Sequence, residues 1–271
     1  MTTTSSALPT RPHRTGLHRD VVDGLGRRIV TGALAPGDVI GDAANLSAGT
    51  PVSRTVAREA IKVLAAKGLV DSRPKVGTRV LPREFWNLLD PDVLAWSLES
   101  DEASTRYAEI YEVRAIIEPR VAALAAGRRS DDEAARLVVL LDGMNAAIGD
   151  VDRFVSADLE LHASILAAAH NDILASLAGT IRLVWNACQR MSALAPGGRG
   201  RAIAEHRAVV EAIRDRDAAA AARSTERLIA RAAGDVQQVL ASETPVAIDA
   251  ARRTRPGRRP ESGAPPSNGE E

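Results

Sequence analysis

Between residues 101 and 242 the chain offers one helical pattern after another and no convincing strand alternation. A stretch like that can bury its apolar residues only by packing helix on helix. Tyr107 to Ala126 carries Ile110, Val113, Ile117, Val121, Leu124 and Ala125 on one face. Ser130 or Asp131 caps a second helix that runs through Ala147. A third spans Val151 to Ala169, and a fourth Ile173 to Ala195. After a loop at Pro196-Gly197-Gly198-Arg199-Gly200, two more cover roughly Arg201 to Asp215 and Asp217 to Leu240. Abundant alanine favours both helix formation and close approach of the axes. The expectation is an all-α antiparallel bundle, an architecture that places ligand sites between facing helices.

The N-terminal part has a different grammar. Leu17 to Thr31 reads as a helix with Leu17, Val21, Val22, Leu25, Ile29 and Val30 as its apolar stripe. Leu34-Ala35-Pro36-Gly37-Asp38 makes a turn, and Asp42 to Ala48 is a short, weak helix candidate. Then comes PVSRTVAREAIKVLAAKGLV, residues 51–70. Ser53 suits an N-cap, while Val56, Ala60, Ile61 and Leu64 face a core. Arg54, Thr55 and Arg58 lie on the other side of the first turn and a half, and Gly68 supplies a left-handed stop. Helix, short helix, tight turn, helix is the helix-turn-helix order. Strand candidates at Leu69–Ser72 and Thr78–Leu81 flank Arg73-Pro74-Lys75-Val76-Gly77, a basic hairpin suited to lying along a nucleic-acid backbone as a wing. A helix presenting arginines from its N-terminal end fits a major groove. An ordinary surface helix with solvated arginines would show the same residues.

Charge divides the chain in the same place. Residues 16–84 hold 11 Arg and Lys against 7 Asp and Glu, a net of +4; residues 101–242 hold 17 against 20, a net of −3. The overall formal charge of zero hides a basic head and a mildly acidic body. Five segments are expected: a disordered N-terminus (1–15), a winged helix-turn-helix (16–84), a linker (85–100), the helical body (101–242) and a disordered tail (243–271). The linker FWNLLDPDVLAWSLES gathers Phe85, Trp86 and Trp96, three of only seven aromatic residues, and is expected to pack between domains. Asp90-Pro91 should open a short helix there. The lone cysteine, Cys188, reads as a core residue in a reducing cytoplasm. No apolar run reaches membrane-spanning length, and residues 1–15 lack a signal-peptide core.

Within the body, Asp158 and His162 are four apart and share a helix face, the spacing of paired metal ligands. His206 follows on a later helix that would have to pack opposite. Two ordinary histidines, one bonded to a carboxylate, satisfy the same pattern. A metal-dependent hydrolase built on these three is one alternative, although H-E-x-x-H, G-x-S-x-G, the P-loop and the Rossmann glycines are all absent. A DNA-binding protein without an effector is another.

Leu34-Ala35-Pro36-Gly37-Asp38, Val52-Ser53-Arg54, Arg58-Glu59-Ala60, Leu64, Lys67-Gly68-Leu69-Val70 and Gly77-Thr78 together resemble the winged-helix signature of the GntR family of bacterial transcription regulators. The body resembles the all-α effector domain of that family's FadR subgroup. The resemblance implies a mainly α chain, an N-terminal winged helix-turn-helix plus a C-terminal antiparallel bundle, that is a regulator and not an enzyme. It implies that Ser53, Arg54, Thr55 and Arg58 face operator DNA and that Gly77 serves at the wing tip. The acidic-basic pair usual in the middle helix is here Ala43 and Ala44, and the glycine expected before Val52 is Pro51. In the body, it implies that Arg114 clamps an effector carboxylate, where a surface arginine paired with Glu118 four residues on is the plain alternative, with Asn171 either near that ligand or at a helix end. Asp158, His162 and His206 match three of the subgroup's four metal ligands; the fourth histidine should fall near Leu228 and is missing. The resemblance thus implies one divalent ion, Zn²⁺, Ni²⁺ or Mn²⁺, held by three protein ligands plus water or effector oxygens. The linker WNLLDPDVLAW resembles that of sugar-acid regulators, implying an aldonate-type effector. The expected protein is a homodimeric cytoplasmic repressor, nucleoid-associated when bound to its operator and released by a small carboxylate.

Overall fold

The computed structural model describes residues 14–41, 52–73 and 77–242. The expected middle helix with Ala43, Ala44 and Pro51, the tip residues Pro74 to Val76, and the tail from 243 onward lie outside the described residues.

The head is built from α1 (Arg14–Val30), β1 (Val39–Gly41), α2 (Arg54–Ala66), β2 (Val70–Arg73) and β3 (Gly77–Val80). α1 lies against α2, and Ile29, Leu64, Leu69 and Val80 meet in one apolar core. Ala60, Ile61 and Leu64 bury the expected face of α2, while Val56 is only half-buried and Ala57 is buried in addition. The α1 stripe is buried from Val22 onward, whereas Leu17 stays exposed. β2 and β3 form the antiparallel hairpin, with Arg73 opposite Gly77 and Val70 opposite Val80. Each strand sits one residue away from its expected place. A third strand, β1, pairs with the far edge of β3, giving the order β1-β3-β2. Three residues between a turn and a glycine carry too little alternation to announce a strand.

Gly68 ends α2 at φ +74°, and an added Cβ would overlap the carbonyl oxygen of Phe85. Both the left-handed backbone and the close approach require glycine. Gly68→Ala should cost about 2–4 kcal/mol of stability, read as a lower urea midpoint at unchanged slope.

A 3₁₀ turn (Arg83–Phe85) leads into α3 (Pro91–Ser97), capped by Asp90, whose Oδ1 accepts from the amides of Asp92 and Val93 at 3.0 and 3.2 Å. Trp86 and Trp96 are buried as expected, but Phe85 is 58% exposed. Its backbone oxygen packs on Gly68 while its ring does not. α3 joins two cores at once. Val93 and Trp96 belong to the head's core, with Trp96 so close to α1 that only a glycine fits at Gly26. Leu94 belongs instead to a cluster of the body with Tyr107, Tyr111 and Cys188. Lys67, at the end of α2, reaches Asp90 at 2.7 Å and Asp92 at 2.9 Å, and Arg27 of α1 pairs with Glu99. Burial alone would lower the Lys67 pKa; the two carboxylates reverse that and raise it.

The body is an antiparallel bundle of α4 (Ala103–Arg128), α5 (Asp131–Ala146), α6 (Val151–Ala168), α7 (Asp172–Leu194), α8 (Gly198–Arg214) and α9 (Ala218–Ala241). α4 packs on α9, α9 on α8, α6 on α7 and α5 on α6, around Leu137, Phe154, Leu161 and Ile213. Ser130 caps α5 in a reciprocal box with Glu133, and Asp150 caps α6. The stretch Pro196 to Gly200 is not all loop. α8 begins at Gly198, where a Cβ would lie 2.6 Å from the carbonyl oxygen of Ser192. Glycine is needed there so that α8 can start hard against the end of α7. Among the described residues no helix is long and apolar enough to cross a membrane.

Candidate operator-reading face and effector cavity

The Ser53 hydroxyl accepts from the amide of Val56 at 3.3 Å, so its side chain serves the start of α2. Arg54, Thr55 and Arg58 are exposed around that same helix end, opposite the buried Ala57, Ala60 and Ile61. The positive end of the helix dipole points the same way as the guanidinium groups, an arrangement that favours an anion. Gly77 opens β3 at φ +93°, beside the tip residues. On the outer strand pair, Arg79 is tied to the Gly37 carbonyl oxygen at 2.7 Å.

In the body, α4, α6 and α8 bring Arg114, Asp158, His162 and His206 to the lining of one small cavity. All four are buried. His206 donates from Nδ1 to the Ala202 carbonyl oxygen at 2.7 Å, which turns Nε2 inward. His162 turns Nδ1 toward Glu118 at 3.4 Å and its own Nε2 to the same point. The two Nε2 atoms are 3.1 Å apart, and Asp158 Oδ1 lies 3.0 Å from one and 3.4 Å from the other. Asp158 Oδ1 has no hydrogen-bond partner among the described residues. Three possible ligand atoms thus converge, the two rings oriented from behind by a carbonyl and a carboxylate. Ligand atoms about 2.0–2.1 Å from a tetrahedral metal would be spaced by about 3.3 Å, close to these separations. The donor set fits a borderline divalent ion such as Zn²⁺, Ni²⁺ or Mn²⁺.

Burial would push the Asp158 carboxyl up, yet His206 and His162 hold it well below the usual carboxylate range. Burial would lower His162, while Asp158 and Glu118 raise it.

Arg114 sits beside this cluster, buried rather than on the surface. It pairs with Glu118 as the i+4 spacing allows, through Nε at 2.6 Å, and packs on the Tyr111 ring 5.0 Å from its centroid. Its Nη1 is left without a partner among the described residues. Glu118 therefore stands between Arg114 and His162, a bridge that reading the residues singly does not assign. Asn171 has a different place. Its side-chain oxygen accepts from the amides of Ile173 and Leu174, both at 3.1 Å, so it starts α7 and is not among the residues lining the cavity. Leu228 lines the cavity and leaves no protein donor at the position where the subgroup's fourth histidine was expected. Cys188 is fully buried, and burial pushes its thiol up to about 12, an inert core residue.

Residues 17–80 match the family described as "Bacterial regulatory proteins, gntR family", and residues 109–231 match the FCD domain. The galactonate operon transcriptional repressor of Escherichia coli K12 is 31% identical over 220 residues, covering 81% of this chain and 96% of that protein. The chain belongs to the GntR family. This GntR-family chain is a DNA-binding transcription regulator with an FCD effector domain, and not an enzyme. The HTH-type regulator LutR of Bacillus subtilis is 30% identical over 149 residues, 55% of this chain and 66% of that one. Among solved structures, Lar of Listeria monocytogenes shares the fold at a TM-score of 0.54 and 16% identity, with 86% of this chain and 99% of that chain covered. The hydrolase alternative is thereby set aside.

Proposed function

We propose that this regulator is a homodimeric cytoplasmic repressor, released from its operator by a small hydroxylated carboxylate of the aldonate type. The observation that carries the proposal is the single cavity holding the unpaired Nη1 of Arg114 next to the three converging donors of Asp158, His162 and His206. Likeness to a galactonate operon repressor supports the choice of a sugar acid. A buried polar constellation of this kind also argues against a DNA-binding protein with no effector.

Residues 16–84 act as the reading head and 101–242 as the effector and dimerisation body. Arg54, Thr55 and Arg58 contact operator bases and phosphates, Ser53 holds the helix end, and the hairpin at Gly77 follows the backbone. Two heads in successive major grooves require two copies. Arg114 would clamp the effector carboxylate, held in place by Glu118. Asp158, His162 and His206 would hold one divalent ion, which when bound supplies a Lewis-acidic partner for the carboxylate oxygens. The effector lowers operator affinity to the extent that it prefers the dimer geometry whose heads no longer fit the half-sites.

A thermal-shift screen of C5 and C6 aldonates, with and without EDTA, tests the reading. An aldonate should raise the melting temperature by several degrees, EDTA should remove most of that gain, and no turnover should accompany it. Absence of stabilisation by every aldonate up to millimolar concentration would reject it.

A further inference from the structure

Ten buried side-chain polar atoms have no hydrogen-bond partner among the described residues, and six of them belong to residues of one cavity. Two, Arg114 Nη1 and Asp158 Oδ1, are already spoken for by a carboxylate and a cation. The other four are Tyr111 Oη on α4, Nε2 and Oε1 of Gln189 on α7, and Arg231 Nε on α9. A buried polar atom left without a hydrogen bond is destabilising, so four in one place call for an occupant that satisfies them. They come from three different helices, which excludes a local accident of one segment.

Their chemistry is specific. The Gln189 amide offers donors and an acceptor, Tyr111 offers a hydroxyl that can do either, and Arg231 Nε only donates. Hydroxyl groups satisfy such a mixed set, carboxylate oxygens satisfy only its donors, and methylenes satisfy none. The set is also held in place. Arg231 is anchored through Nη1 to Asp235, which in turn holds Arg201 at 2.8 Å and Ser192 at 3.4 Å. Tyr111 is fixed under the Arg114 guanidinium, and Gln189 is 5% exposed.

We infer that Tyr111, Gln189 and Arg231 form a hydroxyl-reading subsite that makes this regulator select polyhydroxylated carboxylates over aliphatic ones. The inference rests on the reading of this cavity as the effector site. Selection arises because an aliphatic chain would leave the buried polar groups unpaired, which penalises it more than any lost attraction does. Methylene-lined pockets discriminate far less.

Isothermal titration of the full-length, metal-replete protein with D-galactonate, malate and hexanoate provides the test, with Gln189→Leu and Tyr111→Phe as variants. Both substitutions preserve shape, and melting temperatures verify folding. Wild type should prefer galactonate to hexanoate by 100-fold or more, and Gln189→Leu should shrink that ratio at least tenfold. Tyr111→Phe should shrink it by a smaller factor. Equal binding of hexanoate and galactonate, or variants that weaken both ligands alike, would overturn the subsite. Wild type that binds malate but no aldonate would reject the aldonate reading while upholding hydroxyl selection, provided the variants lower the malate-to-hexanoate ratio. Binding of none of the hydroxylated acids would remove both.

Discussion

Arg58→Ala is expected to remove specific operator binding while the protein folds and takes up effector as before. Arg58 is exposed on α2, and the residues that hold that helix in the head, Ala57, Ala60, Ile61 and Leu64, lie on the opposite face. Alanine there is also a better helix former, so the stability change should stay within about 0.5 kcal/mol. A guanidinium bonded to a base edge is worth about 1–3 kcal/mol, and a dimer loses two. Operator affinity should therefore fall by roughly 30-fold to more than 1,000-fold, with effector titration unchanged. Gel shifts over a range of salt separate the two kinds of contact. A phosphate contact would lower the salt slope by about 1 per subunit, whereas a base contact would leave the slope and relax the sequence preference. Normal operator binding by the variant would mean that α2 is not the reading helix.

Arg114→Met combined with Glu118→Gln should produce the opposite phenotype, a protein that holds its operator and ignores the effector. The single change Arg114→Ala is a poor probe. It strands Glu118 as a buried carboxylate facing His162, and breaking such a pair costs about 3–5 kcal/mol of stability by itself. Replacing both partners removes the charges together, while Met fills most of the volume. The carboxylate clamp is then gone, and effector affinity should drop at least about 30-fold, from the 2–5 kcal/mol typical of a truncated buried charge contact. Fluorescence anisotropy on labelled operator, titrated with effector, reads both halves of the expectation. An intact response from the double variant would locate the clamp elsewhere.

Much of this was legible in the residues themselves because it depended on local order. The Ser130 cap, the Asp90-Pro91 helix start and the glycine stop at Gly68 all follow from neighbours in the chain. So did the faces of α2. Asp158 and His162 advertised a shared face by being four apart, but nothing local said that His206, 44 residues beyond His162, would arrive within 3.1 Å. That required knowing which helices pack together. Glu118 was legible as the i+4 partner of Arg114, but its contact with His162 was not, and Gln189 was missed altogether, since what stands opposite each comes from helix packing. Phe85 shows the converse. Its apolar ring implied burial, yet close packing at Gly68 is made by its backbone and the ring is turned out.

The short helix α3 gives its Val93 and Trp96 to the head and its Leu94 to the body, and Lys67 bolts its start to the end of α2. Such a piece does not act as a leash. A head on a slack tether would sample every spacing whatever the body did, and an effector could change nothing but local concentration. A head mounted on a shared helix inherits the body's orientation, as a gear tooth inherits the angle of its shaft. In the proposed mechanism, small displacements near Tyr111, which belongs to the same apolar cluster as Leu94, would be multiplied by the distance from that helix to the exposed arginines of α2. The operator in effect gauges an angle.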